Sequence, residues 1–146
     1  MTVRRFGARK QDRLGASFSD AFIFTVRGGP TAPGEARSRL EDRLDGRFPR
    51  ELTETAKLLV SELVTNCVLH GGATTEHTIE VSGGLQTRTL RLEVASDGPL
   101  FDHSPTRPDD LTAGGRGLYL VEALSETWGI GADAGRPSVW LELAGA

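Results

Sequence analysis

The sequence predicts an α+β fold, a two-layer α/β sandwich in which a mixed, mostly antiparallel sheet packs on three helices. Two observations carry this. Short segments of period two come in runs joined by turn residues, and segments of helical period are grouped between them. The resulting order, β-α-α-β-β-α-β-β, suits a sheet covered on one face by helices. The length of 146 residues fits one domain, and a hydrophobic fraction of 38% supplies one core if a polar tail and a polar loop lie outside it.

Each element has its own signal. Residues 21–26 (AFIFTV) read as a strand with Phe22, Phe24 and Val26 on one face, ended by Gly28, Gly29 and Pro30. Residues 31–48 read as a helix, with Pro33 near the start and Ala36, Leu40, Leu44 and Phe48 recurring every fourth position. After Pro49, residues 52–70 carry a broad apolar stripe of helical period, from Leu52 and Ala56 to Cys67 and Val68, which Gly71 and Gly72 stop. Residues 78–82 and 89–95 form a predicted hairpin whose turn begins at Gly83 and Gly84 and runs to Arg88. Leu90, Leu92 and Val94 share one face, with Arg91 and Glu93 on the other. Residues 97–113 are polar, contain proline and show no period, the pattern of a long functional or disordered loop. Residues 117–128 are expected to form the third helix. Residues 127–132 and 138–143 are the last strands, with Gly135 and Pro137 between them.

Composition narrows the function classes. Net charge is −3 with acids and bases mixed, so a basic stripe for direct nucleic-acid binding is not expected. The first stretch alone is basic, with Arg4, Arg5, Arg9, Lys10 and Arg13 against Asp12. It reads either as a solvated tail or as an electrostatic arm for a partner, and the chain divides into a disordered basic tail, 1–19, and a domain, 20–146. A lone cysteine, Cys67, permits no internal disulfide, which suits a reducing compartment. No apolar run spans a bilayer and no apolar segment follows the N-terminal charges, so no membrane is expected and a cytoplasmic location follows by elimination.

Three places can carry chemistry. Glu62, Asn66 and His70 fall four residues apart beside the apolar stripe of their helix. They form either a polar rim or a row of ligands aimed into a cleft. In the second case Glu62 can polarise a hydroxyl or water, and Asn66 can offer Mg²⁺ a hard oxygen. Gly114, Gly115, Arg116, Gly117 and Leu118 open the third helix, where glycines allow close approach and free N–H groups favour an anion. Ser96, Asp97 and Gly98 end a strand, either as an ordinary turn or as a site reading the amino group of a base. Each signal is weak alone. There is no Cys/His pattern for zinc.

Their order is more specific. SELVTNCVLHG, VASDGPLFD and GGRGLYLVEAL resemble the N-box and the two glycine boxes of the GHKL ATPase superfamily, which includes histidine kinases, heat-shock protein 90 and gyrase B. Within it the likeness is to the anti-sigma-factor serine kinases and their small stand-alone relatives, over residues 22–143. The resemblance implies a Bergerat-type ATP-binding fold with ATP and Mg²⁺ as cofactors. By position it implies Asn66 as the magnesium ligand, Glu62 as the general base and Gly98 beside the adenine. Ser96 and Asp97 would complete the adenine end, Gly114 to Leu118 would wrap the phosphates, and residues 100–113 would form the ATP lid. It also implies an anti-sigma factor with serine-protein kinase activity toward an anti-anti-sigma partner, and a homodimer. The alternative is a protein-interaction module of the same fold with impaired nucleotide binding. Two departures bear on that alternative: Ser96 stands where the family has aspartate, and Leu100 stands where many members have glycine.

Overall fold

A computed structural model describes residues 18–69, 72–98 and 117–145. Its elements follow the predicted order: β1 (Ser19–Arg27), α1 (Ala32–Leu44), α2 (Arg50–Leu69), β2 (Thr78–Gln86), β3 (Thr89–Ser96), α3 (Gly117–Leu124), β4 (Thr127–Asp133) and β5 (Arg136–Ala144). The five strands lie in the order β1-β2-β3-β5-β4, and all four pairings are antiparallel. The predicted two-layer α+β architecture is therefore what the chain adopts.

The core lies between the helices and one face of this sheet. Antiparallel register brings Phe24, Val81, Val94 and Val139 into one cross-strand row, and Phe22, Gly83, Leu92, Leu141 and Trp128 into the next. Ala36, Leu40, Leu59, Val60 and Val64 meet these rows from α1 and α2, all buried. Side chains alternate across a strand, so the residues between these rows face outward.

α1 ends at Leu44 rather than reaching Phe48. Asp45 turns out of the helix at ψ 128°, its N–H still donating to the Glu41 carbonyl, and Gly46 follows in the left-handed region at φ +76°. Glu41 then ties the two helices together. Its carboxylate accepts from both terminal guanidinium nitrogens of Arg50 at 2.9 Å and from Lys57 at 3.0 Å. The hydrogen bond from Arg50, then that from Lys57, holds the Glu41 carboxyl below its ordinary pKa.

The hairpin between β2 and β3 corrects the expected turn. Gly83 and Gly84 are strand residues, and the turn is the two-residue Thr87–Arg88, with Thr87 at φ +58°. Glycine is needed in the strand for packing: a Cβ on Gly83 would lie 2.5 Å from the Arg91 carbonyl oxygen and 2.9 Å from the Phe22 ring. α3 also stops earlier than expected, at Leu124. The Ser125 hydroxyl donates to the Val121 carbonyl, closing the last turn, and the Glu126 N–H donates to the Glu142 carbonyl at 2.8 Å, starting the ladder. Trp128 thereby lies in β4 opposite Leu141 and is buried in the core.

Candidate nucleotide site

The C-terminal half of α2 supplies the first part of the site. Glu62 and Asn66 lie one helical turn apart. They are 7% and 2% exposed, at the border of the stripe formed by Leu59, Leu63 and Cys67. Polar side chains this deeply set are uncommon without a partner or a ligand to satisfy. Cys67, beside them, is a buried apolar filler. Burial pushes its thiol up to about 12, so it is no nucleophile near neutral pH.

The turn after α2 brings three other segments to this helix end. The Ala73 N–H donates to the Cys67 carbonyl at 3.0 Å, folding the chain back onto the last turn of α2. The Ala73 carbonyl accepts from the Gly29 N–H, and the His77 carbonyl from the Gly28 N–H, each at 3.0 Å, which anchors the end of β1. A Cβ on Gly28 would lie 2.4 Å from the Thr74 carbonyl oxygen, so this junction requires glycine. His77, which the sequence leaves without a partner pattern, accepts at Nδ1 from the Thr74 N–H at 3.0 Å and braces the turn.

The end of β3 meets the same turn. An ideal Cβ on Gly98 would lie 3.3 Å from both Ala73 Cα and the Ser96 hydroxyl oxygen. Ser96 is 1% exposed, on the sheet face that carries Val94, and its hydroxyl accepts from the Gly98 N–H at 3.1 Å. Asp97 points the other way. Its carboxylate accepts from the Thr78 N–H at 2.6 Å, and its own N–H donates to the Thr78 carbonyl at 3.2 Å, closing the strand ends. Of the two residues assigned to the adenine end, Ser96 therefore shares the face of the helix layer, while Asp97 is committed to the β2 backbone.

The opening of α3 is the last part. Leu118 is buried, 2% exposed, and α3 packs on α2 as well as on β4. Gly117 is the first helical residue, as the sequence predicts. Gly114, Gly115, Arg116, His70, Leu100 and the expected lid lie outside the described residues. Among the described residues, the Ala73 turn links the end of α2, the helix that carries Glu62 and Asn66, to the strand end of Ser96 and Gly98. Sequence reasoning missed Ala73 and Gly28 as the junction that aligns them, although the paired glycines at 28–29 and 71–72 marked both chain reversals.

Known proteins resemble this chain in sequence and in fold. The serine-protein kinase RsbW of Bacillus licheniformis is 36% identical over 95 residues, which cover 56% of this chain and 59% of that protein. The chain thus spans less than two thirds of the curated relative it matches. The histidine kinase domain of the blue-light-activated histidine kinase EL346 from Erythrobacter litoralis superposes with a TM-score of 0.50 at 21% identity, over 78% of this chain and 59% of that one. The structure of the EL346 kinase itself also gives 0.50, at 20% identity, over 76% and 40% of the two chains. At these identities the structures speak for the fold alone. The model of the histidine kinase-like ATPase domain matches residues 29–142, from just after β1 into β5, and the chain belongs to that family.

Proposed function

We propose that this chain binds ATP with Mg²⁺ and serves as an anti-sigma factor with serine-protein kinase activity toward an anti-anti-sigma partner. The observation that carries the reading is the buried pair Glu62 and Asn66, on a helix whose end the Ala73 turn joins to the Ser96–Gly98 strand end, in a chain similar to a serine-protein kinase.

The donor set suits the cofactor. Mg²⁺ prefers hard oxygens and is commonly held by few protein groups together with phosphate oxygens. The Asn66 amide offers such an oxygen, and no group of three or more His, Cys, Asp or Glu occurs among the described residues to favour a softer or all-protein site. Bound ATP would supply the transferable phosphoryl group. Glu62, one turn from Asn66, is the residue to accept the proton of a partner serine hydroxyl. Gly98 packs closely on Ala73 and Ser96, and by position it is the glycine that the resemblance sets beside the adenine. Gly114 to Leu118 would present N–H groups to the phosphates. Phosphorylation of the partner adds close to two negative charges, enough to break an interface.

One observation favours a second reading, a protein-interaction module with impaired nucleotide binding. The side chain at the adenine end, Ser96, is neutral and already accepts from Gly98. Calorimetry of the full chain with ATP and Mg²⁺ separates the two. The kinase reading expects heat that the Asn66→Ala variant loses, and transfer of label from ATP to an anti-anti-sigma protein that Glu62→Gln abolishes. No heat near millimolar ATP refutes it and leaves the module.

A further inference from the structure

The peptide between Ala73 and Thr74 is held from both sides. Its carbonyl, that of Ala73, accepts from the Gly29 N–H at 3.0 Å. Its N–H, that of Thr74, donates to His77 Nδ1 at 3.0 Å. A peptide unit is planar, so fixing both groups fixes the plane and the Ala73 Cα at its edge. The backbone of His77 is committed to the same junction. Its N–H donates to the Thr74 carbonyl at 2.9 Å, and its carbonyl accepts from the Gly28 N–H at 3.0 Å. The Thr74 hydroxyl oxygen, 3.1 Å from Nδ1, accepts from the Glu76 N–H at 3.3 Å. An Nδ1 that accepts puts the ring proton on Nε2.

Two other segments rest on the held plane. Ala73 is 2% exposed, and a Cβ on Gly98 would lie 3.3 Å from its Cα and 3.4 Å from its Cβ. The Ala73 N–H donates to the Cys67 carbonyl at 3.0 Å, so the turn also registers the strand end against α2. Thr74, by contrast, is exposed. Water takes its N–H if the imidazole is removed, so the bond adds little to stability and acts through geometry.

We propose that His77 is a positioning residue for the nucleotide base: through Thr74 and Ala73 it sets where Gly98 stands. This role rests on the reading of the chain as an ATP-binding protein. His77 acts without touching the nucleotide. The acceptor at Nδ1 holds the turn, and the bulk of the ring does not.

Two variants of the full chain test this. His77→Phe keeps the ring and loses the acceptor, while His77→Asn sets a side-chain oxygen at the Nδ1 position. ATP with Mg²⁺ is titrated by calorimetry well below each melting transition, so that folded protein alone is read. His77→Phe is expected to weaken ATP binding by about two- to tenfold, the range of one net hydrogen bond, and His77→Asn to stay within about twofold of the parent. A Phe variant that binds ATP like the parent overturns the proposal whatever its urea midpoint, because the brace is then structural only. An Asn variant that loses as much as the Phe variant also overturns it, because the acceptor is then not what counts. A parent chain that gives no heat near millimolar ATP removes the nucleotide reading, and this role with it. If His77→Phe does not fold, NMR of the unaltered chain decides. Saturating ATP is expected to shift the Thr74 amide and the His77 ring nitrogens. Their standing still while the Gly98 amide moves overturns the proposal.

Discussion

Replacing Ser96 by aspartate tests the adenine end of the proposed site. The Ser96 hydroxyl is 1% exposed and accepts one hydrogen bond, from the Gly98 N–H at 3.1 Å. Ser96→Asp keeps that acceptor and adds a second, charged oxygen toward the space beside Gly98, where the resemblance places adenine. A hydrogen bond to a charged group contributes about 1.5–3 kcal/mol, so ATP affinity is expected to rise roughly tenfold to a hundredfold. Without nucleotide the variant buries a carboxylate with one donor, which lowers stability by about 1–3 kcal/mol in urea. The two effects have one cause and are read on one sample, by calorimetry and by denaturant melts with and without ATP. GTP sharpens the test. Guanine presents an oxygen where adenine has its amino group, so GTP affinity is not expected to rise. An unchanged ATP affinity, or an equal gain for GTP, refutes the placement of Ser96 at the base.

Further outcomes follow from the packing. Gly83→Ala sets a methyl 2.5 Å from the Arg91 carbonyl oxygen in the middle of two ladders, and urea melts are expected to show a loss of about 3 kcal/mol. The Cys67 thiol, pushed up to about 12 from 9.0, stays protonated in the folded protein at neutral pH. A thiol reagent at pH 8 is therefore expected to modify it only as fast as the chain opens. Its raised pKa contributes stability below pH 9 that is lost as pH climbs toward 12, and Cys67→Ala removes that alkaline limb. Glu41 has the opposite sign. Its pKa is lowered, so its ties to Arg50 and Lys57 contribute stability above pH 4.5 that is lost as acid protonates it. Glu41→Gln is expected to flatten the acid limb of the melting curve.

Apolar period and turn residues determined most of this fold. The stripe from Ala56 to Cys67, the alternation Leu90-Leu92-Val94 and the glycine pairs each state a local preference that the folded chain keeps, so element type and order were legible. The positions of Glu62 and Asn66 beside the stripe followed from helical geometry alone, and with them the resemblance to a family to which the chain belongs. Element ends were less legible, because they depend on partners distant in sequence. Gly83 and Gly84 read as a turn until Phe22 and Arg91 lie against Gly83, and Trp128 reads as helical until Glu142 captures the backbone at Glu126. The choice between Ser96 and Asp97 is of the same kind. Adjacent strand residues face opposite ways, and the Thr78 backbone on the neighbouring strand takes the carboxylate. The outer face was hidden for another reason. Arg91 and Glu93 alternate with leucines as solvent-facing residues do, yet both are buried, and Arg91 stacks on the Trp140 ring and pairs with Glu142. Sequence pattern thus determined which elements form and which residues flank the site. Long-range contact decided where elements stop, which polar side chain turns inward, and which charged side chains are buried.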